Sequence, residues 1–394
     1  MGVDRIWNVA EARRRARLRL PRVVFDYIDG DAEDGITHRR NTEDYNAVTF
    51  QPRTGNKVAH PSLVTEVFGT KVSMPVLLAP CGLTRVMHPD GTFGIARAAA
   101  SRGTIQVLST VAGNSPEDVA WASTAPKWFQ LYASGGLNDA AEAMIDRARL
   151  SGYEALVVTM DTAVLGNRER DSRNGIQLGG KPSPAVLAKL LGQFAVKPRW
   201  SLSMAAPGIE FVKAAKAGRA AGAQAGVVGI SGSPFSWDDV AAIRGRWPRR
   251  LVVKGLMTAD DARRAVDAGA DGIVVSNHGG RQLDGSPPTP RVLPAVVDAV
   301  GDSTVVMVDS GLRRGTHVVK ALAMGAKVVF IGRAYLYGFA VGGQAGVERV
   351  LDVFRAEISR TMTLLGCQSV ADLDRSWLDL SWLDPGRLQR PAPG

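Results

Sequence analysis

From residue 72 onward one pattern recurs and constrains the fold more than anything else in the chain. A short, apolar, β-branched run is followed each time by a helix-like stretch, which is the signature of parallel βα units. The runs are Pro75–Ala79, Ile105–Leu108, Trp128–Leu131, Ala155–Thr159, Leu251–Val253, Gly272–Val275, Val305–Val308 and Val328–Ile331. Between them the periodicity predicts helices over Gly91–Arg102, Asn138–Ser151, Ala259–Ala268, Thr289–Val300 and Thr316–Met324. Eight alternating units predict an α/β fold, a closed (β/α)8 TIM barrel, rather than an open doubly wound sheet. No G-x-G-x-x-G follows the first run, which weakens a dinucleotide fold further. One domain over 1–394 is expected, with the barrel at about 72–365 and a long insertion after strand 4 at about 172–235. At 45% hydrophobic residues the chain can bury a large core, which argues against disorder.

Barrel enzymes place their chemistry at the C-terminal ends of the strands. Those ends carry Pro80, Cys81 and Gly82, then Ser109, Gln130, Tyr132, Thr159, Asp161, Lys254, Asn277, His278, Asp309, Gly332 and Arg333. The run Ile273 to Gly285 is the densest, a buried strand turning into a loop with His278 and Arg281 around the pair Gly279 and Gly280. Histidine exchanges a proton near neutral pH, and arginine grips a carboxylate with two parallel hydrogen bonds. A base beside an anion clamp points to chemistry on a small acid. The loops DSGLRRG (Asp309 to Gly315) and IGRA (Ile331 to Ala334) follow strands 7 and 8, where barrels hold phosphate on backbone N–H groups. That makes Arg313, Arg314 and Arg333 candidate phosphate ligands. Lys254 could be a Schiff-base nucleophile or a fixed cation beside an electron-rich ring. The residues alone leave both open.

The net charge of +10 favours an anionic partner without choosing one. Glu11 to Arg22 holds six arginines, but interleaved Ala12, Ala16, Leu18 and Leu20 favour a solvated helix face over a nucleic-acid arm. Val23 to Asp34 is an apolar start running into an acidic turn that contains Tyr27. Two distant cysteines, Cys81 and Cys367, give neither a disulfide framework nor a metal site, and fit a reducing, cytoplasmic setting. Asp4 precedes any apolar run, so no signal peptide is expected, and no uncharged stretch is long enough for a span. Between Gly175 and Gly222 lie seven basic residues and one acidic residue, mixed with Ala185 to Leu191 and with Phe194, Trp200, Leu202, Met204 and Phe211. Such a segment suits a membrane interface, with a lid or a subunit contact as the alternative. The small residues of Ala214 to Gly226 suggest mobility.

Taken together, SNHGGRQLDG, the stretch Thr159 to Asp171, FQLY, VVKGLMTADDA and DSGLRRG…IGRA resemble the FMN-dependent α-hydroxy-acid dehydrogenases and oxidases over residues 5–380. KPRWSL (Lys197 to Leu202), NRERD, DSG and GRAYLYG are most similar to the mandelate-oxidising, membrane-associated members. The resemblance implies FMN as cofactor, an (S)-2-hydroxy acid as substrate, and a quinone or oxygen as electron acceptor. It implies His278 as base, Asp161 raising the histidine's pKa, and Arg168, Arg281, Tyr27 and Tyr132 around the substrate. Lys254 becomes the cation near the flavin, not a Schiff base. Ser109, Gln130, Thr159, Ser276 and the backbone at Ala79, Pro80, Cys81 and Gly82 would hold the ring. Asp309, Gly311, Arg313, Gly332 and Arg333 would serve ribityl and phosphate. A homo-tetramer and peripheral contact with the inner face of the cell membrane also follow from it. Glycolate-oxidising members carry tryptophan where this chain has Val111 and alanine where it has Gly82. Both changes are expected to enlarge the pocket for a bulky or aromatic acid.

Overall fold

The structure, a computed structural model, describes residues 2–133, 136–175, 183–205 and 235–381. Eight strands form the barrel: β1 (Val76–Leu78), β2 (Gln106–Ser109), β3 (Lys127–Leu131), β4 (Ala155–Thr159), β5 (Arg250–Leu256), β6 (Gly272–Val275), β7 (Val305–Val308) and β8 (Val329–Ile331). They pair in parallel in chain order, and β8 closes onto β1 with Ile331 opposite Leu78. Alternation along each strand separates two apolar faces. Leu77, Val107, Trp128, Val157, Val252, Val274, Met307 and Phe330 fill the barrel's interior cluster. Leu78, Leu108, Phe129, Leu156, Val158 and Ile273 belong to the larger cluster that includes the surrounding helices. Two apolar faces explain why the strands read as near-continuous hydrophobic runs.

The chain enters through α1 (Val9–Arg19), α2 (Arg22–Asp29) and α3 (Ile36–Ala47). The surrounding helices follow as α4 (Gly91–Ser101), α5 (Pro116–Ala122), α6 (Asp139–Leu150), α7 (Glu169–Arg173), α8 (Pro184–Ala195), α9 (Trp237–Arg246), α10 (Ala259–Asp267), α11 (Thr289–Val300), α12 (Gly315–Ala323) and α13 (Arg333–Leu365). Side-chain caps start several of them: Asn138 accepts from the Ala141 amide and Thr258 from the Asp261 amide.

Two readings of the N-terminal stretch need correction. Helix α1 is not simply a solvated face. Ala12 and Ala16 are buried against the core, Arg13 pairs with Asp29, and Arg19 donates to the Val341 carbonyl of α13. The segment from Val23 is helical, because Pro21 sits at the N-cap of α2 and Val24, Phe25 and Ile28 are buried. In the insertion, α8 is fastened over α1 and α2. Gln193 accepts from the Val23 amide, and Lys197 donates to the Leu18 carbonyl. Phe211, the run Ala214 to Gly226 and most of the expected 172–235 insertion lie outside the described residues.

Candidate active site

The β6 loop turns through three consecutive residues of positive φ: His278 at 57°, Gly279 at 69° and Gly280 at 71°. Glycine adopts this conformation freely, whereas histidine does not, and such strain concentrates at functional sites. A Cβ on Gly280 would meet the His38 amide at 2.5 Å, so α3 packs directly on the turn. Leu83 and Ser310 are also at positive φ, and with His278 these three of the five described non-glycine residues at positive φ line one cavity at the C-terminal mouth of the barrel. Its empty space is about 1190 Å³, open mouth included.

Nδ1 of His278 lies 2.9 Å from Oδ1 of Asp161. Burial, with His278 and Lys254 opposing it more strongly, leaves the Asp161 carboxyl below its usual range. The carboxylate therefore accepts from an Nδ1–H, and the Nε2 lone pair is left for chemistry. Burial pulls the His278 pKa below its ordinary value and outweighs Asp161, which pushes the other way. Asp161 thus acts in the expected upward direction, and burial sets the net shift.

Arg168 and Arg281 line the cavity with Tyr27 and Tyr132 and form no salt bridge among the described residues, although Asp171 is near enough to act on Arg168. Arg168 donates to Gln282, and Arg281 donates to the Gly30 carbonyl with its guanidinium 5.4 Å from the Tyr27 ring centre. Burial and the neighbouring Arg281 pull Arg168 down to about 10. Burial raises the pKa of Tyr27 and of Tyr132, so both phenols stay protonated. A buried arginine pulled down by a second one nearby, beside two hydroxyl donors, favours an anion between them.

At the other end Lys254 is buried, 2.8 Å from Ser276 Oγ and 3.2 Å from an Asp309 oxygen. Burial disfavours its charge, but Asp309 and Asp161 outweigh that and hold its pKa above the ordinary value. A lysine held charged is a poor Schiff-base nucleophile. Beneath it Ser109 donates to Gln130 and Gln130 donates to Thr159 across the ends of β2, β3 and β4. Gly311, Arg313, Gly332 and Arg333 line the far side of the cavity, where α13 begins. Burial and Arg281 pull Arg333 down to about 9 against the opposing push of Tyr337 and Asp29, and among the described residues it forms no salt bridge; its place at a helix N-terminus suits an anion.

Of the residues singled out in the sequence, Ala79, Pro80, Cys81, Gly82, Tyr27, Val111, Tyr132, Arg168, Lys254, His278, Arg281, Asp309, Gly311, Arg313, Gly332 and Arg333 line the cavity. Asp161, Ser109, Gln130, Thr159 and Ser276 support lining residues or adjoin them. Arg314 belongs elsewhere, paired with Glu357. The pair Gly82 and Val111 is not a simple enlargement. A Cβ on Gly82 would stand 2.8 Å from Val111 Cγ2, so Val111 occupies part of the space that Gly82 leaves. Sequence reasoning missed Gly30, whose carbonyl accepts from both Arg281 and Arg333, and the reciprocal amide pair of Asn41 with Asn277. Gln282, which accepts from Arg168, lies inside the SNHGGRQLDG motif, and that motif is its signal. Nothing local marks Gly30 or Asn41.

These features define a barrel enzyme built for an anionic substrate and a phosphate-bearing cofactor. The profile of the FMN-dependent dehydrogenase family matches residues 16–380. The chain is 38% identical over 376 residues to (S)-mandelate dehydrogenase of Pseudomonas putida, covering 95% of this chain and 94% of that one. It is 41% identical over 379 residues to L-lactate dehydrogenase of Azorhizobium caulinodans, covering 93% and 96%. A crystal structure of (S)-mandelate dehydrogenase, described as a monotopic membrane protein, superposes with a TM-score of 0.86 at 37% identity, covering 95% of this chain and 99% of that one. The chain belongs to the FMN-dependent dehydrogenase family. It is a flavoprotein oxidoreductase that uses FMN to oxidise a 2-hydroxy acid.

Proposed function

We propose that this chain, acting as one catalytic domain, oxidises an (S)-2-hydroxy acid with a bulky or aromatic substituent, such as mandelate, to the 2-oxo acid. The observation that carries the reading is the set formed by His278, Arg168 and Arg281 around one cavity, with apolar Val111, Leu83 and Leu165 beside it. Arg168 and Arg281 hold the carboxylate, and Tyr27 and Tyr132 orient the hydroxyl. His278 Nε2 takes the substrate proton, and Asp161 stabilises the imidazolium that results. Bound FMN supplies the two-electron acceptor. Ser109, Gln130, Thr159, Ser276 and the backbone of residues 79–82 hold its ring, with Lys254 as the cation that stabilises negative charge on it. Asp309, Gly311, Arg313, Gly332 and Arg333 hold the ribityl phosphate.

The acceptor in this reading is a quinone, met at a membrane surface through α8. Leu187, Leu191, Val196 and Leu202 are at least half exposed on this segment. No described helix is long and apolar enough to cross a bilayer, so contact would be peripheral. The mandelate-oxidising relative of known structure is itself monotopic in its description.

Anaerobic mixing with a panel of (S)-2-hydroxy acids, following flavin absorbance, tests the substrate. Bleaching by mandelate or phenyllactate but not glycolate is expected. Bleaching by lactate or glycolate alone would overturn the bulky-substrate reading in favour of a small-acid enzyme.

A further inference from the structure

A second cavity lies against the first. Tyr27, Leu83, Leu165 and Arg168 line both, so the partition between them is the wall that faces the carboxylate-binding arginines. Beyond that wall the lining is mostly apolar, with Val24, Val86, Leu190, Phe194 and Trp200, and Asn167, Asp171 and Ser172 add polar groups to it. Phe194 and Trp200 pack with their rings tilted by 35° and their centres 5.3 Å apart, and Trp200 is buried at 8% exposure. The Gln193 and Lys197 contacts to the N-terminal helices keep this roof in place. The cleft's empty space, about 1450 Å³ with its opening, is on the scale of the active-site cavity itself. A substituent of one or two carbons would leave it unfilled.

We infer that this cleft is a substrate subsite, which takes the far end of a 2-hydroxy acid bearing an extended apolar substituent, a long alkyl chain or an alkylated aryl group. The inference rests on the proposed carboxylate site at Arg168 and Arg281 and goes further, naming the chain length as the selected property. Tyr27 and Arg168 anchor the polar head on one side of the wall. The tail passes between Leu83 and Leu165 and displaces water from the Leu190, Phe194 and Trp200 surface. Each methylene removed from water there tightens binding about three- to fourfold.

The test is anaerobic stopped-flow flavin reduction with straight-chain (S)-2-hydroxy acids of increasing length, alongside mandelate and 4-butylmandelate. Apparent Kd is expected to fall about three- to fourfold per added methylene once the tail passes the wall. Leu190→Trp, which fills the cleft, should flatten that series while leaving mandelate within about twofold. Phe194→Ala, which removes roof contacts, should weaken the longest acids about tenfold or more with mandelate again unchanged. Flavin content and the mandelate rate report whether each variant is folded. A Kd that stays flat with length in the unmodified enzyme, while mandelate still bleaches the flavin, overturns the subsite and leaves the proposed function standing. Failure of every acid to bleach the flavin overturns both. If Leu190→Trp instead blocks only reoxidation by a short-tailed quinone, the cleft serves the acceptor and the inference falls.

Discussion

Nδ1 of His278 and Oδ1 of Asp161 are 2.9 Å apart, although 117 residues of chain separate them. The contact joins the loop after β6 to the end of β4 and fixes which ring nitrogen faces the cavity. The general base must be neutral to work, and burial puts the His278 pKa below its ordinary value. The rate of flavin reduction should therefore be level through neutral pH and fall only in acid, as Nε2 becomes protonated. Asp161→Asn removes the group that raises that pKa, so the acid limb should move to still lower pH. Loss of charge stabilisation should slow reduction by about a hundredfold or more. A pH profile of anaerobic reduction checks both, and an unmoved limb would remove Asp161 from this role.

In the proposed reading Arg168 and Arg281 hold the substrate carboxylate. Charge-assisted hydrogen bonds contribute about 1.5–3 kcal/mol each. Arg168→Met should thus raise the apparent Kd for a 2-hydroxy acid about ten- to a hundredfold. The corresponding 2-hydroxy amide, which lacks the charge, should bind the two proteins with nearly equal affinity. Titration of both ligands against both proteins measures this, and equal losses for acid and amide would count against a carboxylate contact.

Lys254 and Asp309 form a buried ion pair, and removing one member of such a pair costs about 3–5 kcal/mol. Lys254→Met should lower Tm and slow flavin reduction together. The double variant Lys254→Met with Asp309→Asn should recover much of the stability, because no unpaired charge is left. It should not recover the reduction rate, which depends on the cation. Thermal melts set beside stopped-flow traces separate the two effects, and joint recovery would make Lys254 structural only.

The barrel was legible in the sequence because both faces of its strands are apolar, so each strand stands out as a β-branched run. The site was legible where it sits on strand ends, as with Lys254, Thr159 and His278. What escaped was held by long-range geometry. Gly30 matters through a carbonyl that two arginines reach, one from the loop after β6 and one from the start of α13, and no local residue choice advertises that. Helix α2 was missed because its apolar face is only eight residues long and sits between Pro21 and an acidic turn. The upward push of Asp161 on His278 was legible, but the net downward shift was not, because the sequence does not display the burial that outweighs it.

The exposed leucines of α8 carry a prediction of their own. Burying Leu187 and Leu191 in a membrane interface would contribute about 1.5–3 kcal/mol each. Leu187→Glu with Leu191→Glu should therefore abolish sedimentation with anionic phospholipid vesicles while leaving anaerobic reduction by mandelate intact. Retained sedimentation would place the membrane contact elsewhere on the molecule.

Gly82 and Val111 decide the shape of the pocket jointly. A Cβ added to Gly82 would press on Val111 Cγ2 at 2.8 Å and approach the Tyr27 hydroxyl at 3.2 Å. Valine has one strongly preferred rotamer, so it cannot turn aside cheaply, and overpacking of this kind costs about 1–3 kcal/mol. Gly82→Ala should slow reduction by mandelate about tenfold or more, because Tyr27 and Val111 are displaced toward the substrate. Val111→Ala alone should have little effect on mandelate, and in the double variant it should restore most of the lost rate. A small acid such as lactate should be affected much less by all three changes. Steady reduction rates across this double-mutant cycle isolate the coupling between the two residues. If the two effects simply add, the contact between them does not set the pocket, and specificity must be sought at Leu83 and Leu165 instead.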